Sequence, residues 1–169
     1  MIQHLKRIQP PANEPVTLSE AKQHERIDLN DDDGLVTALI KAARQQAEEY
    51  TKRSFITQTW ELTLDEANGI IELPRPPIQS VTNVTVDGSP YSNYEVDGNR
   101  IYFPSGVSFL FGGIKIEYTA GYGDNSEDVP EPIREAILQM VGHFYENRES
   151  QEMPVLAWQL LSPYKVWQL

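Results

Sequence analysis

The residues of this chain that could hold a metal form two pairs at helical spacing. Glu20 and His24 are four positions apart, and His143 and Glu146 are three apart, so each pair could share one helix face. A catalytic metal needs at least three protein ligands, and neither pair has a third candidate nearby in the sequence. The chain contains no cysteine, which excludes thiolate ligands and disulfides. The sequence therefore predicts no metal site and no cofactor.

Other patterns of catalytic residues are also incomplete. Gly112-Gly113 and Gly121-Tyr-Gly123 lack the Gly-Lys-Ser/Thr of a phosphate-binding loop. The serines form no Gly-x-Ser-x-Gly elbow. The acid pairs Glu48-Glu49 and Asp65-Glu66 have no apolar surroundings in the sequence that would separate their pKa values. We therefore predict that the protein is not an enzyme.

Two other functions stay open on the residues alone. Carboxylates from distant positions could converge into a hydrolase site, because catalytic residues are often far apart in sequence. A small-ligand or glycan-binding β module would instead need a concave aromatic site. The residues available for such a site are Tyr91, Tyr94, Tyr102 and Phe103.

The strongest binding signal is the apolar C-terminal segment, which contains Trp158 and Trp167. Chain ends are usually polar and poorly ordered unless they are tied down, so this end either folds back on its own core or docks on another protein. Pro154 and Pro163 prevent one continuous helix, which predicts one or two helical turns between them and extended backbone after Pro163. Exposed tryptophans here would be anchors of the kind that dominate interfaces.

The elements that position these residues begin with an arm and a short helix. Three prolines in residues 1–15 predict an extended arm. Thr17-Leu-Ser-Glu20 fits a capping box, in which each side chain satisfies an orphan backbone N–H, and it predicts a helix to about Arg26.

Two longer helices follow from capping and periodicity. Asn30-Asp-Asp-Asp33 is a cluster of capping residues, which predicts a second helix from about Asp32 to Lys52. Pro130 begins a long third helix near the C-terminus. Apolar residues at steps of three and four predict a helical core of Leu35, Leu39, Ala43, Ile133, Ile137, Val141 and Phe144.

The middle of the chain changes to the alternating period of strands. Residues 59–65 alternate, and Asp87-Gly88 and Asp97-Gly98-Asn99 are turn signals. The pattern predicts about six short antiparallel strands, at residues 59–65, 70–73, 78–86, 94–96, 100–103 and 114–118.

Composition narrows the class of protein. A chain of 169 residues that is 40% hydrophobic predicts one globular domain with a real core. Its net charge of −11, without a basic patch, argues against sequence-specific nucleic-acid binding. The N-terminus does not match a signal peptide, and no stretch approaches the apolar length that spans a bilayer, so we expect no membrane partner.

Motifs along the whole chain resemble the head–tail connector, or adaptor, proteins of long-tailed bacteriophages and gene transfer agents. The order and spacing of these motifs carry the resemblance, over roughly residues 15–165. They are Pro15-Val-Thr-Leu-Ser-Glu-Ala-Lys22, Arg26-Ile-Asp28, Leu39-Ile-Lys-Ala-Ala-Arg44, Glu48-Glu-Tyr-Thr51, Gln58-Thr-Trp-Glu-Leu62, Leu73-Pro74 with Pro77, Tyr118-Thr-Ala-Gly-Tyr-Gly123, Val129-Pro-Glu-Pro-Ile-Arg134 and Leu160-Leu-Ser-Pro-Tyr-Lys165. Residues 83–113 and 166–169 lie outside these motifs.

The resemblance implies a structural protein of the virion neck, made in the host bacterial cytoplasm. Such adaptors form a ring, usually twelvefold, on the portal, and the C-terminal segment typically reaches onto the portal. The other face receives the next connector or a tail-completion protein, and DNA passes through the ring. A stopper or head-completion connector below the adaptor is the alternative within the same class. Acidic residues that line the ring would repel passing DNA and keep it mobile.

The predicted fold is therefore α+β, mainly a helical bundle with an inserted antiparallel β region and an extended C-terminal arm. We expect one connector domain over residues 1–169, divided into an arm (1–15), helices (16–53), the inserted β region (58–120), the long helix (129–149) and a docking arm (154–169). The predicted portal-docking residues are Trp158, Leu160, Leu161, Pro163, Tyr164 and Trp167. The predicted contacts between ring neighbours are Glu20, Arg44, Arg134 and Arg148.

Overall fold

The structure is a computed structural model that describes residues 3–65, 69–104, 113–147, 149 and 152–167. It confirms a mixed α and β protein, with four α-helices and antiparallel sheets in this described part. The chain divides into two compact units. The β unit comprises residues 1–11 and 57–122, and the helical unit comprises residues 12–56 and 123–169. That the whole chain acts as one connector domain stays a prediction.

A five-stranded antiparallel sheet forms most of the β unit. Its strand order is β1-β2-β8-β4-β5, and the strands are β1 (Gln3–Gln9), β2 (Gln58–Leu64), β8 (Ile114–Ala120), β4 (Ile78–Val86) and β5 (Ser89–Pro90). The predicted N-terminal arm contains strand β1, which pairs along its length with β2 and so belongs to the sheet. Extended backbone at Gln3–Gln9 was expected, but its sheet partner lies some fifty positions further along the chain. The β region is therefore not a simple insertion between helices.

A second, three-stranded sheet completes the described part of the β unit. Its order is β3-β7-β6, with β3 at Ile70–Glu72, β7 at Arg100–Tyr102 and β6 at Glu95–Asp97. The turn at Asp87-Gly88 joins β4 to β5 as predicted, and Gly88 has the positive φ of 79° that such turns require.

The core of the β unit lies on one face of its strands. Alternate residues of β8 are fully buried, as period-two patterning requires. On the same face of β2, Leu62 and Leu64 are fully buried and Trp60 is half-buried. Val84, Ile101 and Phe103 join this cluster. Tyr91 and Tyr94 pack against this cluster, and their ring centroids lie 5.8 and 6.3 Å from that of Phe103. Three of the four aromatic residues available for a ligand site thus pack together against the core of the β unit.

Four helices form the helical unit, and α1, α2 and α4 all pack against α3. Their bounds are α1 (Leu18–Glu25), α2 (Asp33–Thr51), α3 (Glu131–Glu146) and α4 (Val155–Leu161). The capping box at the start of α1 is confirmed, since Thr17 Oγ1 accepts from the Glu20 backbone N–H and Glu20 accepts from that of Thr17.

Helix α2 begins at the predicted cluster of acidic residues, but these residues do not cap it. Asp32 is the N-cap residue but makes no side-chain capping bond; its carboxylate accepts from the Tyr145 hydroxyl at 2.6 Å instead. The Asp33 carboxylate accepts from Lys22 Nζ at 2.6 Å. These acids connect α2 to α3 and α1, so tertiary partners have replaced the local cap.

The buried face of α2 is one residue away from the predicted one. Val36 and Ile40 are buried, whereas Leu35 and Leu39 are only half-buried. Both pairs have the same four-residue spacing, and periodicity cannot distinguish two such rows when each is apolar. The other predicted core residues are buried: Ala43, Ile133, Ile137, Val141 and Phe144.

Candidate docking surface

The last helix, α4, is unusual because none of its seven residues is charged. Pro154 precedes it as the N-cap residue, and Pro163 lies in a 3₁₀ turn, Ser162–Tyr164, that follows it directly. One or two helical turns between the prolines were predicted, and they are confirmed. Tyr164 lies within the 3₁₀ turn, which corrects the prediction that it is extended. A short helix without charges has apolar side chains on more than one side.

The inner side of α4 belongs to the core of the helical unit. Ala157 and Leu161, four positions apart, are fully buried where α4 packs on α3 and α2. This contradicts the expectation that Leu161 is available to a partner, because its side chain is enclosed by its own chain. The tail is therefore partly a core element.

Three hydrogen bonds tie the following residues to the end of α2. The Tyr50 hydroxyl and Ser162 Oγ are 3.0 Å apart, and Arg53 Nε donates to the Tyr164 carbonyl at 2.6 Å. The Val166 backbone N–H donates to the carbonyl of Thr51 at 2.9 Å. The last two bonds satisfy backbone groups beyond α4, and all three fix the direction of the tail.

The C-terminal segment leaves four large apolar side chains exposed, three on α4 and one beyond the 3₁₀ turn. Val155 is 73% exposed, Leu156 47%, Trp158 51% and Trp167 75%. We call these four residues the tail surface. Single exposed apolar residues are ordinary on proteins, but a group that includes two tryptophans within one short segment is the composition of an interface anchor.

Lys165 supports the exposed indole of Trp167. Its Nζ lies 4.7 Å from the centroid of the Trp167 ring and 5.0 Å from that of Tyr50. An ammonium group at this distance over an aromatic face is held by the ring quadrupole. The contact keeps Trp167 beside the end of α2 while most of its surface stays open to solvent.

The predicted docking residues therefore divide into three groups. Trp158, Trp167 and Pro163 are exposed, Leu160 and Tyr164 are half-buried, and Leu161 is core. Val155 and Leu156 are exposed as well and were not among the predicted residues. The uncharged composition of residues 155–161, with Gln159 as the one polar side chain, was the available signal, since such a helix exposes apolar side chains wherever it does not pack.

Arg44, predicted to contact a ring neighbour, is instead a buried residue of the helical unit. Only 2% of its side chain is exposed; Nε lies 2.6 Å from Glu14 and Nη1 lies 2.7 Å from Glu48. Glu48 also accepts from the Phe55 backbone N–H at 3.0 Å. Burial opposes the charge of Arg44, but the two carboxylates outweigh it and raise the pKa of the guanidinium. The network connects the segment before α1 to α2.

Glu20 and Arg134, also predicted at ring contacts, pair with each other. Arg134 further bonds Glu131 at 2.8 Å and the Pro15 carbonyl at 3.2 Å. Partial burial alone would raise the pKa of the Glu20 carboxyl, but hydrogen bonds from Thr17 and the charge of Arg134 hold it below its ordinary value. Both side chains keep some exposure, so their role between copies stays a prediction. Arg148 lies outside the described residues.

The described residues contain no group of three or more His, Cys, Asp and Glu side chains that could hold a metal. No helix among them is both long enough and apolar enough to cross a bilayer.

Comparisons with known proteins found a matching family model and several solved structures with the same fold. A family model for phage gp6-like head-tail connector proteins matches residues 15–155, which confirms the resemblance seen in the sequence. A chain in the neck of the empty GTA particle, computed with C6 symmetry, is 20% identical with a TM-score of 0.83, over 98% of this chain and 97% of that one.

Two further solved structures show the same fold. A chain of the virion of the native gene transfer agent particle is 19% identical with a TM-score of 0.83, over 98% of this chain and 96% of that one. A chain in the neck of the native GTA particle, computed with C12 symmetry, is 18% identical with a TM-score of 0.82, over 98% and 97% of the two chains. Among curated proteins no match was found.

Proposed function

Because the chain belongs to the phage gp6-like head-tail connector family, we propose that it is an adaptor of the virion neck, which forms a ring on the portal and joins it to the tail. This family consists of structural connector proteins and is not an enzyme class.

The observation that carries the proposal is the tail surface. Helix α4 buries Ala157 and Leu161 in its own chain and presents Val155, Leu156 and Trp158 outward, and Trp167 is exposed after the 3₁₀ turn. We infer that the portal covers these side chains. The surface is already formed in the single chain, so docking needs no ordering of a disordered arm and avoids that entropic cost.

Ring assembly is supported by the structures that share this fold. Two of them are necks of gene transfer agent particles, computed with C6 and with C12 symmetry. A ring of twelve copies satisfies either symmetry, and we propose that number here. The opposite face of such a ring would receive the next connector or a tail-completion protein, and DNA would pass through the middle.

The experiment is co-sedimentation with the purified portal ring of the same virus. Full-length protein should bind saturably, at about one copy of this chain per portal subunit if both rings are twelvefold. A variant with Trp158→Ser and Trp167→Ser should bind much more weakly, because both anchors are lost. A matched control is Ile70→Ser with Val96→Ser, which removes exposed apolar side chains from the β unit.

Absence of portal binding by the full-length protein would overturn the adaptor assignment. Binding to another neck protein in the same assay would then indicate the stopper position. Equal binding by the tryptophan variant and the control would leave an adaptor that docks through some other surface.

A further inference from the structure

A tryptophan between two arginines lies at one end of the large sheet of the β unit. The strand register sets Arg7, Trp60, Tyr118 and Val81 side by side across β1, β2, β8 and β4, so their side chains share one face. The Arg7 guanidinium carbon lies 5.9 Å from the Trp60 ring centroid, and that of Arg75 lies 5.6 Å from it. Trp60 is half-buried, whereas Arg7 is exposed.

The loop before β4 is held so that Arg75 reaches the indole. Arg75 has a φ of 62°, the left-handed region in which residues other than glycine are strained. The buried Tyr118 hydroxyl donates to the Pro74 carbonyl at 2.9 Å, and burial raises the pKa of this phenol, so it stays a donor.

Next to Arg7, strand β1 exposes an apolar side chain. The register of β1 on β2 shifts between Arg7 and Gln9, so Ile8 is the extra residue of a β-bulge, and it is 41% exposed. Bulges at sheet edges re-aim side chains. We call Arg7, Ile8, Trp60 and Arg75 the cationic patch. Stacked guanidinium groups fit carboxylates through paired hydrogen bonds, so an acidic protein surface is the matching partner.

The helical unit has a groove of complementary chemistry. A cavity of about 380 Å³ is lined by the apolar residues Val16, Leu18 and Ile40 and by the acidic residues Glu14 and Glu127. The Glu14 carboxylate is already held by Arg44, whereas Glu127 is exposed. The adjoining rim, residues 124–131, contains four acidic residues and no basic one, and Glu131 among them pairs with Arg134. We call this cavity and its rim the acidic groove. It would accept an apolar side chain flanked by cations.

We propose that the cationic patch of one copy docks in the acidic groove of the next copy, with Ile8 over the apolar base and Arg7 beside Glu127. The inference rests on the ring of the proposed function. Copies related by a ring rotation touch through two different surfaces, and this chain carries two that are complementary in charge and in apolar content. Two arginines in a chain of net charge −11 are too few for DNA, which is bound by many phosphate contacts.

Cross-linking tests the contact directly, because the chain contains no cysteine and each introduced thiol is unique. Full-length Ile8→Cys and Ser126→Cys proteins are mixed and treated with a short bismaleimide, both free at high concentration and assembled on the portal. We expect a heterodimer from the mixture, and a ladder of multimers from a chain that carries both substitutions. Absence of cross-links under both conditions, or equal homodimers from each single variant, would overturn the proposal.

Charge reversal at Arg7 and Glu127 provides a second test of the contact. Arg7→Glu should reduce cross-linking about tenfold, and Glu127→Arg in the same chain should restore it, because the pair is then reversed. Lys115→Glu is the control, since it makes the same change of charge at an exposed position of β8. If Arg7→Glu instead weakens binding of a short DNA duplex and leaves cross-linking unchanged, the patch is a phosphate site and the proposal is wrong.

Portal co-sedimentation of the same proteins separates this inference from the proposed function. Cross-linked multimers from protein that does not bind the portal would support the contact and reject the adaptor role. Protein that binds the portal but forms no cross-link there would support the adaptor role and reject the contact.

Discussion

At the scale of single residues, Arg44 shows how burial changes the meaning of a charge. A surface arginine on a helix is a reasonable candidate for contact with a neighbouring subunit. This one is enclosed and held by two carboxylates, Glu14 and Glu48. Its pairing with Glu48 is at ordinary helical spacing. Its second partner could not be found from the sequence, because Glu14 lies thirty positions away in a segment without secondary structure.

Replacing Arg44 by methionine should destabilise the protein by about 3 kcal/mol, because it leaves two carboxylates without their buried counter-charge. Chemical denaturation measures this as a lower midpoint with an unchanged slope. Lys41→Met is the control, since it removes a cation of similar length from an exposed position of α2. Equal stability of the two variants would show that the network contributes nothing.

Glu20 gives a prediction that depends on pH. Its folded-state pKa is below the ordinary value of 4.5, so its ionisation stabilises the fold above that pH and ceases to do so as the pH falls through the folded value. Glu20→Gln should therefore lower stability at neutral pH, by less than about 1 kcal/mol for a partly exposed pair. The difference from wild type should disappear in acid. Chemical denaturation of both proteins from pH 7 to pH 3 checks this, and a difference in unfolding free energy that stays constant over that range would contradict the role of the Glu20–Arg134 pair. Glu146→Gln is the control, since it removes one exposed carboxylate.

At the scale of elements, α4 is both core and surface. Leu161 and Leu156 lie on the same short helix, and one is buried whereas the other is 47% exposed. Leu161→Ala should cost about 3 kcal/mol of unfolding free energy, the usual result of a cavity at a buried leucine. Leu156→Ala should cost little stability and weaken portal docking. Thermal melts and portal binding of the two variants, measured together, check this. Equal melting temperatures for the two variants would show that Leu161 does not contribute to the core.

The sequence predicted the elements better than their faces and partners. The capping box at Thr17 and the strand positions follow from local residue patterns and are confirmed. The buried row of α2 was misassigned because Leu35 and Val36 begin equally spaced apolar rows. Strand β1 and the stacking of Arg7 and Arg75 on Trp60 depend on pairings between distant segments, which a local pattern does not contain.

The same division applies to the docking surface. Its location in the C-terminal segment was predicted from composition, because apolar chain ends are uncommon. Which of its side chains point outward was decided by the packing of α4 on α3, and that packing enclosed Leu161 and exposed Val155 and Leu156.

At the scale of the whole molecule, a net charge of −11 bears on DNA passage. A ring whose channel is lined by acidic side chains would repel the phosphates of DNA and let it move. We therefore expect aspartate and glutamate to predominate over lysine and arginine on the channel wall. A structure of the assembled neck checks this, and a channel lined by lysine and arginine would contradict it.

The most direct measurement is the dissociation constant of the complex with the portal ring, compared between wild type and Trp158→Ala. If the tail surface is the portal anchor, wild type binds and the variant binds at least about tenfold more weakly, as for an interface hot spot, while melting at the same temperature. Identical dissociation constants for the two proteins, or no binding by wild type, would contradict the claim that this protein docks on the portal through its C-terminal helix.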